Sequence, residues 1–287
     1  MTHVSTLTLP APAKLNLFLN ILDRRPDGYH NLQTVFQFID FADQLEFTLR
    51  DNDSISLDAP NLDISPSDNL IYRAAKLLQE TTQTTLGAHI HLDKVLPMGG
   101  GVGGGSSNAA TTLVALNHLW QTGLSRSELM RLGSTLGADV PIFIHGEAAY
   151  ATGTGAQLTP IECPESWYAL VIPPVNVSTA EIFSHPQLTR DNQPITISDF
   201  LSHGGPNSLE GTVRKLYPEV GRALDWLSQF GSARMSGSGC SVFASFAEKR
   251  QAENVVNQIP APFKGVVAKG SNKSPLYLAI DWGVAKR

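Results

Sequence analysis

The chain carries only two cysteines in 287 residues. Cys163 and Cys240 show no metal-ligand or redox spacing, which excludes a disulfide scaffold and points to a reducing compartment. No uninterrupted apolar run approaches the length of a membrane span, so no membrane partner is expected. No block of Lys and Arg occurs and the formal net charge is -5, which argues against nucleic acid as the main partner. Met1-Thr2-His3-Val4-Ser5 has no basic stretch leading into an apolar one, so no signal peptide is expected and the cytoplasm is the expected location. Familiar nucleotide motifs are missing too. Without a Gly-Lys dipeptide there is no Walker loop, and the His-Arg-Asp and Asp-Phe-Gly triplets of protein kinases are absent. An apolar share of 42% and a charged share of 16% are ordinary for a globular chain, and the length suits one large or two medium domains.

What the chain has instead is glycine in one place. Leu96-Pro97-Met98-Gly99-Gly100-Gly101-Val102-Gly103-Gly104-Gly105-Ser106-Ser107-Asn108 leaves the backbone bare. Bare backbone can bring N–H groups close to a bulky anion. Ile90 and Leu92, with the β-former Val95, make the preceding segment strand-like. Ala109, Leu113, Leu116 and Trp120 follow at helical spacing, with Ser106, Ser107 or Asn108 placed to cap the helix. Strand, glycine loop and helix N-terminus together form a phosphate site. Gly99, Gly101 and Gly104 fit G-x-G-x-x-G, but a dinucleotide fold needs an acidic residue about 20 positions on, and Gln121-Thr122-Gly123-Leu124-Ser125 has none. A polyphosphate ligand would be held by local donors, since the overall charge is negative.

Alternation of Leu15, Leu17, Leu19 and Ile21 with Asn16, Phe18 and Asn20 predicts a strand. Asp23 to Gly28 reads as a turn. Further strands are expected at 35–39, 45–49 and 55–57. A helix over 69–82 turns Leu70, Ala74, Leu77 and Leu78 inward, and another starts near Ser127 and stops at Gly137. Residues 148–155 read as a hairpin, and a domain boundary is placed there, giving domains 1–153 and 154–287. The second half shows strands at 168–172, 242–246 and 266–268 and a helix over 248–258. Strands and helices mixed without strict alternation indicate an α+β fold.

Three more segments carry chemistry. Lys14 opens an apolar strand, as a surface lysine at a strand edge or as a cation beside a catalytic acid or phosphate. Asp139, in Leu-Gly-Ala-Asp-Val-Pro at 136–141, is a helix N-cap or a proton acceptor. The small-residue run Arg234 to Phe243 is a plain turn or a second backbone cradle closing over the site. Tyr29 and His30 pack a turn or receive a nucleobase. His89 and His91 share a strand face, but two ligands make a poor zinc site, so they are expected to face solvent.

Pro-Ala-Lys-Leu-Asn-Leu at 12–17, Asp-Gly-Tyr-His at 27–30, Leu-Pro-Met-Gly-Gly-Gly at 96–101, Gly-Gly-Gly-Ser-Ser-Asn-Ala-Ala at 103–110 and Leu-Gly-Ala-Asp-Val-Pro at 136–141 together resemble the GHMP kinases. These are small-molecule kinases with their own glycine-rich phosphate loop. The Asp-Gly-Tyr-His turn is most similar to the members that act on 4-diphosphocytidyl-methylerythritol in the non-mevalonate route to isoprenoid precursors. The resemblance implies ATP-dependent phosphorylation of that compound's tertiary 2-hydroxyl. By the same resemblance Asp139 accepts the hydroxyl proton with Lys14 beside it. Pro97, Met98, Gly99, Gly100, Gly101, Val102, Gly103, Gly104, Gly105, Ser106 and Ser107 hold the ATP phosphates, and Lys94 and Asn69 its adenosine end. Tyr29 and Phe183 stack the cytosine, while Asn16, His30 and Thr179 make polar substrate contacts. Mg²⁺ is expected with ATP, with no protein ligand assigned, and the chain is expected to be a monomer or weak homodimer. The implied fold is the α+β two-domain GHMP kinase fold. Its N-terminal domain carries the glycine loop on a left-handed β-α-β unit, and its C-terminal domain is ferredoxin-like. Another GHMP kinase, for mevalonate or homoserine, and a catalytically silent nucleotide-binding paralogue are the alternatives.

Overall fold

Between Thr6 and Arg50 the sequence has one strong turn signal, Arg25 to Gly28, and the chain obeys it. In the computed structural model, which describes residues 6–280 except 61, 63 and 66, strand β1 (Thr6–Arg24) and strand β2 (His30–Arg50) form one long antiparallel hairpin. The Met1 to Ser5 reading lies outside the described residues. The strands expected at 35–39 and 45–49 are one strand, because Asp40-Phe41-Ala42-Asp43 offers no glycine or proline to end it. The pairing is irregular at three places: between Pro12 and Lys14, Asn16 and Phe18, and Ile21 and Asp23. These shifts overturn the strict alternation expected along β1. Leu15, Leu17 and Phe18 all enter one apolar cluster, because a bulge re-aims the side chains that follow it.

Strand β3 (Ile55–Asp58) runs parallel to β4 (Gly87–Asp93) and connects to it through helix α1 (Leu70–Thr82). Asn69 caps α1, its Oδ1 accepting from the Ile71 N–H at 3.0 Å. The loop after β4 leads into α2 (Gly104–Leu119). This helix is buried almost all round, from Ser107 to Asn117, because α1, α3 (Arg126–Leu136) and α4 (Val140–His145) pack on it beside the sheet. The apolar spacing therefore marks a core helix, not an amphipathic one. α3 begins with a capping box, Ser125 with Glu128, and stops at Gly137. Strands β5 (Ala149–Thr152) and β6 (Gln157–Pro160) then form the expected hairpin. His89 and His91 lie on the solvent-side face of β4, as expected, where they pair with Ser56 and Asp58 of β3.

The second lobe starts with β7 (Trp167–Ile172), followed by α5 (Thr179–Ser184), α6 (Ile197–His203), α7 (Glu210–Leu216) and α8 (Pro218–Leu227). Then come β8 (Arg234–Met235), β9 (Val242–Phe246), α9 (Lys249–Val256), β10 (Lys264–Ser271) and α10 (Pro275–Ala279). The strands lie in the order β10-β7-β9-β8 and are antiparallel, which is the ferredoxin-like arrangement. Gly270 and Ser271 of β10 pair with Ile39 and Phe38 of β2, joining both lobes into one sheet. No helix among the described residues is long and apolar enough to cross a membrane.

Two apolar cores flank a third that joins them. The joining cluster includes Leu15, Val102, Tyr150, Phe243 and Ala268, so burying it fixes the glycine loop against the second lobe. Phe38 and Phe143, both buried, meet edge to face beneath that loop, with ring centroids 5.9 Å apart. Phe38→Ala is expected to cost about 3–5 kcal/mol. Urea unfolding measures it, and a loss below about 1 kcal/mol would contradict this packing.

Candidate active site

A cavity of ≈ 1080 Å³ opens between the lobes. One wall is the glycine loop, and its shape follows from contacts that only glycine permits. At Gly101 φ is +71°, and a Cβ there would lie 2.1 Å from the Ser236 carbonyl oxygen. Gly103, with φ of +76°, is the residue at which α2 begins. A Cβ at Gly103 would meet the Phe143 ring at 2.7 Å. Ser106, Ser107 and Asn108 therefore lie inside the first turns and do not cap the helix.

The second cradle read from Arg234 to Phe243 proves to be a clamp. The N–H groups of Cys240 and Ser241 donate to the carbonyls of Gly99 and Gly100 at 3.1 and 3.0 Å. The Ser236 hydroxyl donates to the Gly101 carbonyl at 2.9 Å. Three carbonyls that would repel an anion are thereby engaged elsewhere. Among the described residues, no N–H from Met98 to Ser106 donates a hydrogen bond within the protein. The loop and the N-terminus of α2 line the same cavity, and the loop's amides carry no internal hydrogen bond, which favours an anion there.

Asp43 ties both ends of this loop, and the sequence reading missed it. Its carboxylate is fully buried. Oδ1 accepts from the Val95 and Leu96 N–H groups at 2.8 and 2.7 Å. Oδ2 accepts from Lys94 Nζ at 2.6 Å and Asn108 Nδ2 at 2.9 Å. The available signal was a carboxylate inside an apolar strand.

Lys14 is not a surface lysine. It is 2% exposed, and its three N–H groups are surrounded by three oxygens. They are Asn16 Oδ1 at 2.5 Å, the Gly101 carbonyl at 3.1 Å and Asp139 Oδ2 at 3.3 Å. Asn16 Nδ2 in turn donates to Thr34 Oγ1 at 2.9 Å, and Thr34 donates to the Phe18 carbonyl. That chain fixes which end of the Asn16 amide faces the ammonium. Asp139 occupies the N-cap position of α4 but makes no capping hydrogen bond. Its side chain is 37% exposed, so a ligand hydroxyl can reach it.

The far end of the cavity is aromatic. Tyr29 stands 62% exposed on the hairpin turn, and the His30 and Phe183 rings lie 5.3 Å apart. Burial, then the Arg190 and Arg24 charges, holds the His30 imidazole below its ordinary pKa, against a smaller opposing pull from Asp23. Thr179 Oγ1 bonds Ser238 Oγ at 2.8 Å on the same wall.

Lys14, Asn16, Tyr29, His30, Asn69, Lys94, Pro97, Met98, Asp139, Thr179 and Phe183 all line this one cavity. So do Gly99, Gly100, Gly101, Gly103, Gly104, Gly105 and Ser106. Val102 packs instead into the core joining the lobes. Ser107 is wholly buried, its hydroxyl without a partner. Gly237 and Ser238 of the run read as a second cradle line the cavity too, as do Asn108, expected only as a cap, and Thr34, which was not singled out. Among the described residues no group of three or more His, Cys, Asp or Glu could hold a metal ion.

Two substitutions test this construction. Gly101→Ala is expected to push the loop off the Ser236 turn and to weaken ATP binding at least tenfold by calorimetry, against no change for Gly211→Ala, whose Cβ meets open space. Equal affinities would contradict the clamp. Asp43→Asn leaves the Lys94 charge without its partner and is expected to cost about 3–5 kcal/mol of stability. Thermal unfolding checks it, and an unchanged midpoint would contradict the role given to Asp43.

Comparison with known proteins agrees with this geometry. The family models described as "GHMP kinases N terminal domain" and "GHMP kinases C terminal" match residues 69–147 and 187–265. A 4-diphosphocytidyl-2-C-methyl-D-erythritol kinase of Mannheimia succiniciproducens is 54% identical, with 96% of this chain and 91% of that protein covered. One from Shewanella loihica is 53% identical over 98% of this chain and 99% of that protein. The crystal structure of a 4-(cytidine 5'-diphospho)-2C-methyl-D-erythritol kinase superposes with a TM-score of 0.79 at 32% identity, covering 92% of this chain and 99% of that one. With both GHMP models matched and near full-length identity above half, the chain belongs to the GHMP kinases, in the family of 4-diphosphocytidyl-2-C-methyl-D-erythritol kinases.

Proposed function

We propose that this cavity transfers the terminal phosphoryl group of ATP to the 2-hydroxyl of 4-diphosphocytidyl-2-C-methyl-D-erythritol, with Asp139 accepting the hydroxyl proton. The observation that carries this is the Lys14 ammonium. It touches both the Gly101 carbonyl of the loop and Asp139 Oδ2, so the anion cradle and the carboxylate are held by one side chain. The relatives' names supply the substrate, and the aromatic end of the cavity, Tyr29 and Phe183, suits its flat base.

Phosphoryl transfer passes through a loose transition state, so catalysis depends on alignment and on charge stabilisation more than on a strong base. The N–H groups of residues 98–106 and the N-terminus of α2 take up charge on the transferring group. Lys14 keeps Asp139 beside that group. Asn16 and Thr34 hold the ammonium in place, so Lys14 need not move during the reaction. A Mg²⁺ would arrive with the nucleotide phosphates, and the Ser106 hydroxyl and Asp139 carboxylate, both lining the cavity, are the oxygen donors that would hold it. Its chemistry there would be to offset phosphate charge.

The cysteines are buried free thiols, and burial raises both to about 11.

Asp139→Asn is expected to lower kcat by about 10²–10⁴ while ATP binds within a few-fold of normal. A coupled assay with the cytidine-linked alcohol, run beside calorimetry, measures both. Turnover within tenfold of the parent would reject Asp139 as the acceptor.

A further inference from the structure

The segment after α5 holds a guanidinium that the phosphoryl-transfer account does not use. Arg190 donates from Nε to His30 Nε2 at 2.9 Å. Nη1 donates to the Leu188 carbonyl, and Nη2 to the carbonyls of Phe183 and His185, each at 2.9 Å. Four acceptors thus surround one side chain, and none is a carboxylate. Such a fork spends its hydrogen bonds on placing groups, not on neutralising charge.

Two consequences follow from donor chemistry alone. A guanidinium only donates, so the His30 Nε2 that faces it is an acceptor. The imidazole is then neutral, and its proton sits on Nδ1. The three carbonyls belong to the chain end that carries Phe183, whose ring lies against His30. One residue therefore sets both the tautomer of the imidazole and the place of the ring beside it.

We propose that Arg190 is a positioning residue for the base-binding end of the cavity, fixing His30 as its Nδ1–H tautomer and holding Phe183 against it. This rests on the substrate reading above for its kinetic half but not for its structural half. The charged and titratable groups facing His30 are Arg190, Arg24 and Asp23. With the imidazole held below its ordinary pKa, the neutral form's contribution is present above about pH 6.5. It is lost as pH falls through the lowered value.

The test is ¹⁵N NMR of the His30 ring in the full chain without ligand, together with the KM of each substrate, between about pH 8 and pH 6. In the parent, the neutral ring carries its proton on Nδ1 and leaves Nε2 bare at the upper end of this range. Arg190→Met is expected to mix the tautomers and to move the His30 midpoint upward, by the Arg190 charge alone, since burial and Arg24 still lower it. It is also expected to raise KM for the cytidine-linked alcohol about tenfold more than KM for ATP, with the gap widening as pH falls. Arg190→Gln, which keeps one neutral donor, should restore part of the single tautomer. A His30 ring unchanged in Arg190→Met, or equal rises in both KM values, would overturn the proposal. Should Arg190→Met fail to fold, Arg190→Lys keeps the charge and one donor but loses the fork to the carbonyls of Phe183, His185 and Leu188. Its readout is the KM of the cytidine-linked alcohol, which is expected to rise more than that of ATP; equal KM changes there would overturn the proposal. A parent chain that phosphorylates no cytidine-linked alcohol would reject the substrate reading alone, because the ring spectra need no substrate.

Discussion

The site depends on where one buried ammonium divides its three N–H groups. Lys14 reaches from β1 to the Gly101 carbonyl, to Asn16 and to Asp139. Those partners lie on the phosphate loop, on its own strand and at the start of α4. A buried cation is tolerable only when its donors are satisfied, so the fold must keep all three partners in place. The reacting groups inherit their alignment from that requirement. It also explains why β1 is irregular. The register shift between Pro12 and Lys14 aims the lysine into the cavity from a strand whose adjacent Ala13 and Leu15 are packed in the core.

The glycine loop is held by the same logic applied to backbone. Its carbonyls are engaged by Cys240, Ser241, Ser236 and Lys14, and its flanks by Asp43. What remains toward the cavity are N–H groups. An anion site is thus made without a cluster of cations, in a chain whose net charge is -5. Neither half of the clamp belongs to the loop itself, since Asp43 comes from β2 and the Ser236 turn from the other lobe.

The chemistry was legible in the sequence because glycine, a lone carboxylate before proline and an opening lysine are local signals. The strand, loop and helix order around residues 96–108 needs no tertiary knowledge, and the stop of α3 at Gly137 is equally local. What could not be read was partnership. Whether Asp139 caps α4 or faces Lys14 is decided by residues more than a hundred positions apart. Asp43 is one carboxylate inside an apolar strand until four donors converge on it. The merging of two expected strands into β2 and the burial of α2 on all sides likewise come from packing, which periodicity does not carry. Arg190 sits in a segment with no motif, and only its acceptors reveal it.

The central claim is that the acceptor alcohol meets Asp139 while the nucleotide's phosphates lie on the amides of the glycine loop. A crystal structure with a non-hydrolysable ATP analogue and the cytidine-linked alcohol tests it most directly. The account predicts the 2-hydroxyl oxygen about 2.6–3.2 Å from an Asp139 oxygen, with phosphate oxygens on N–H groups between residues 98 and 106. A hydroxyl turned away from Asp139, or phosphates held by side chains with the loop amides left bare, would contradict it.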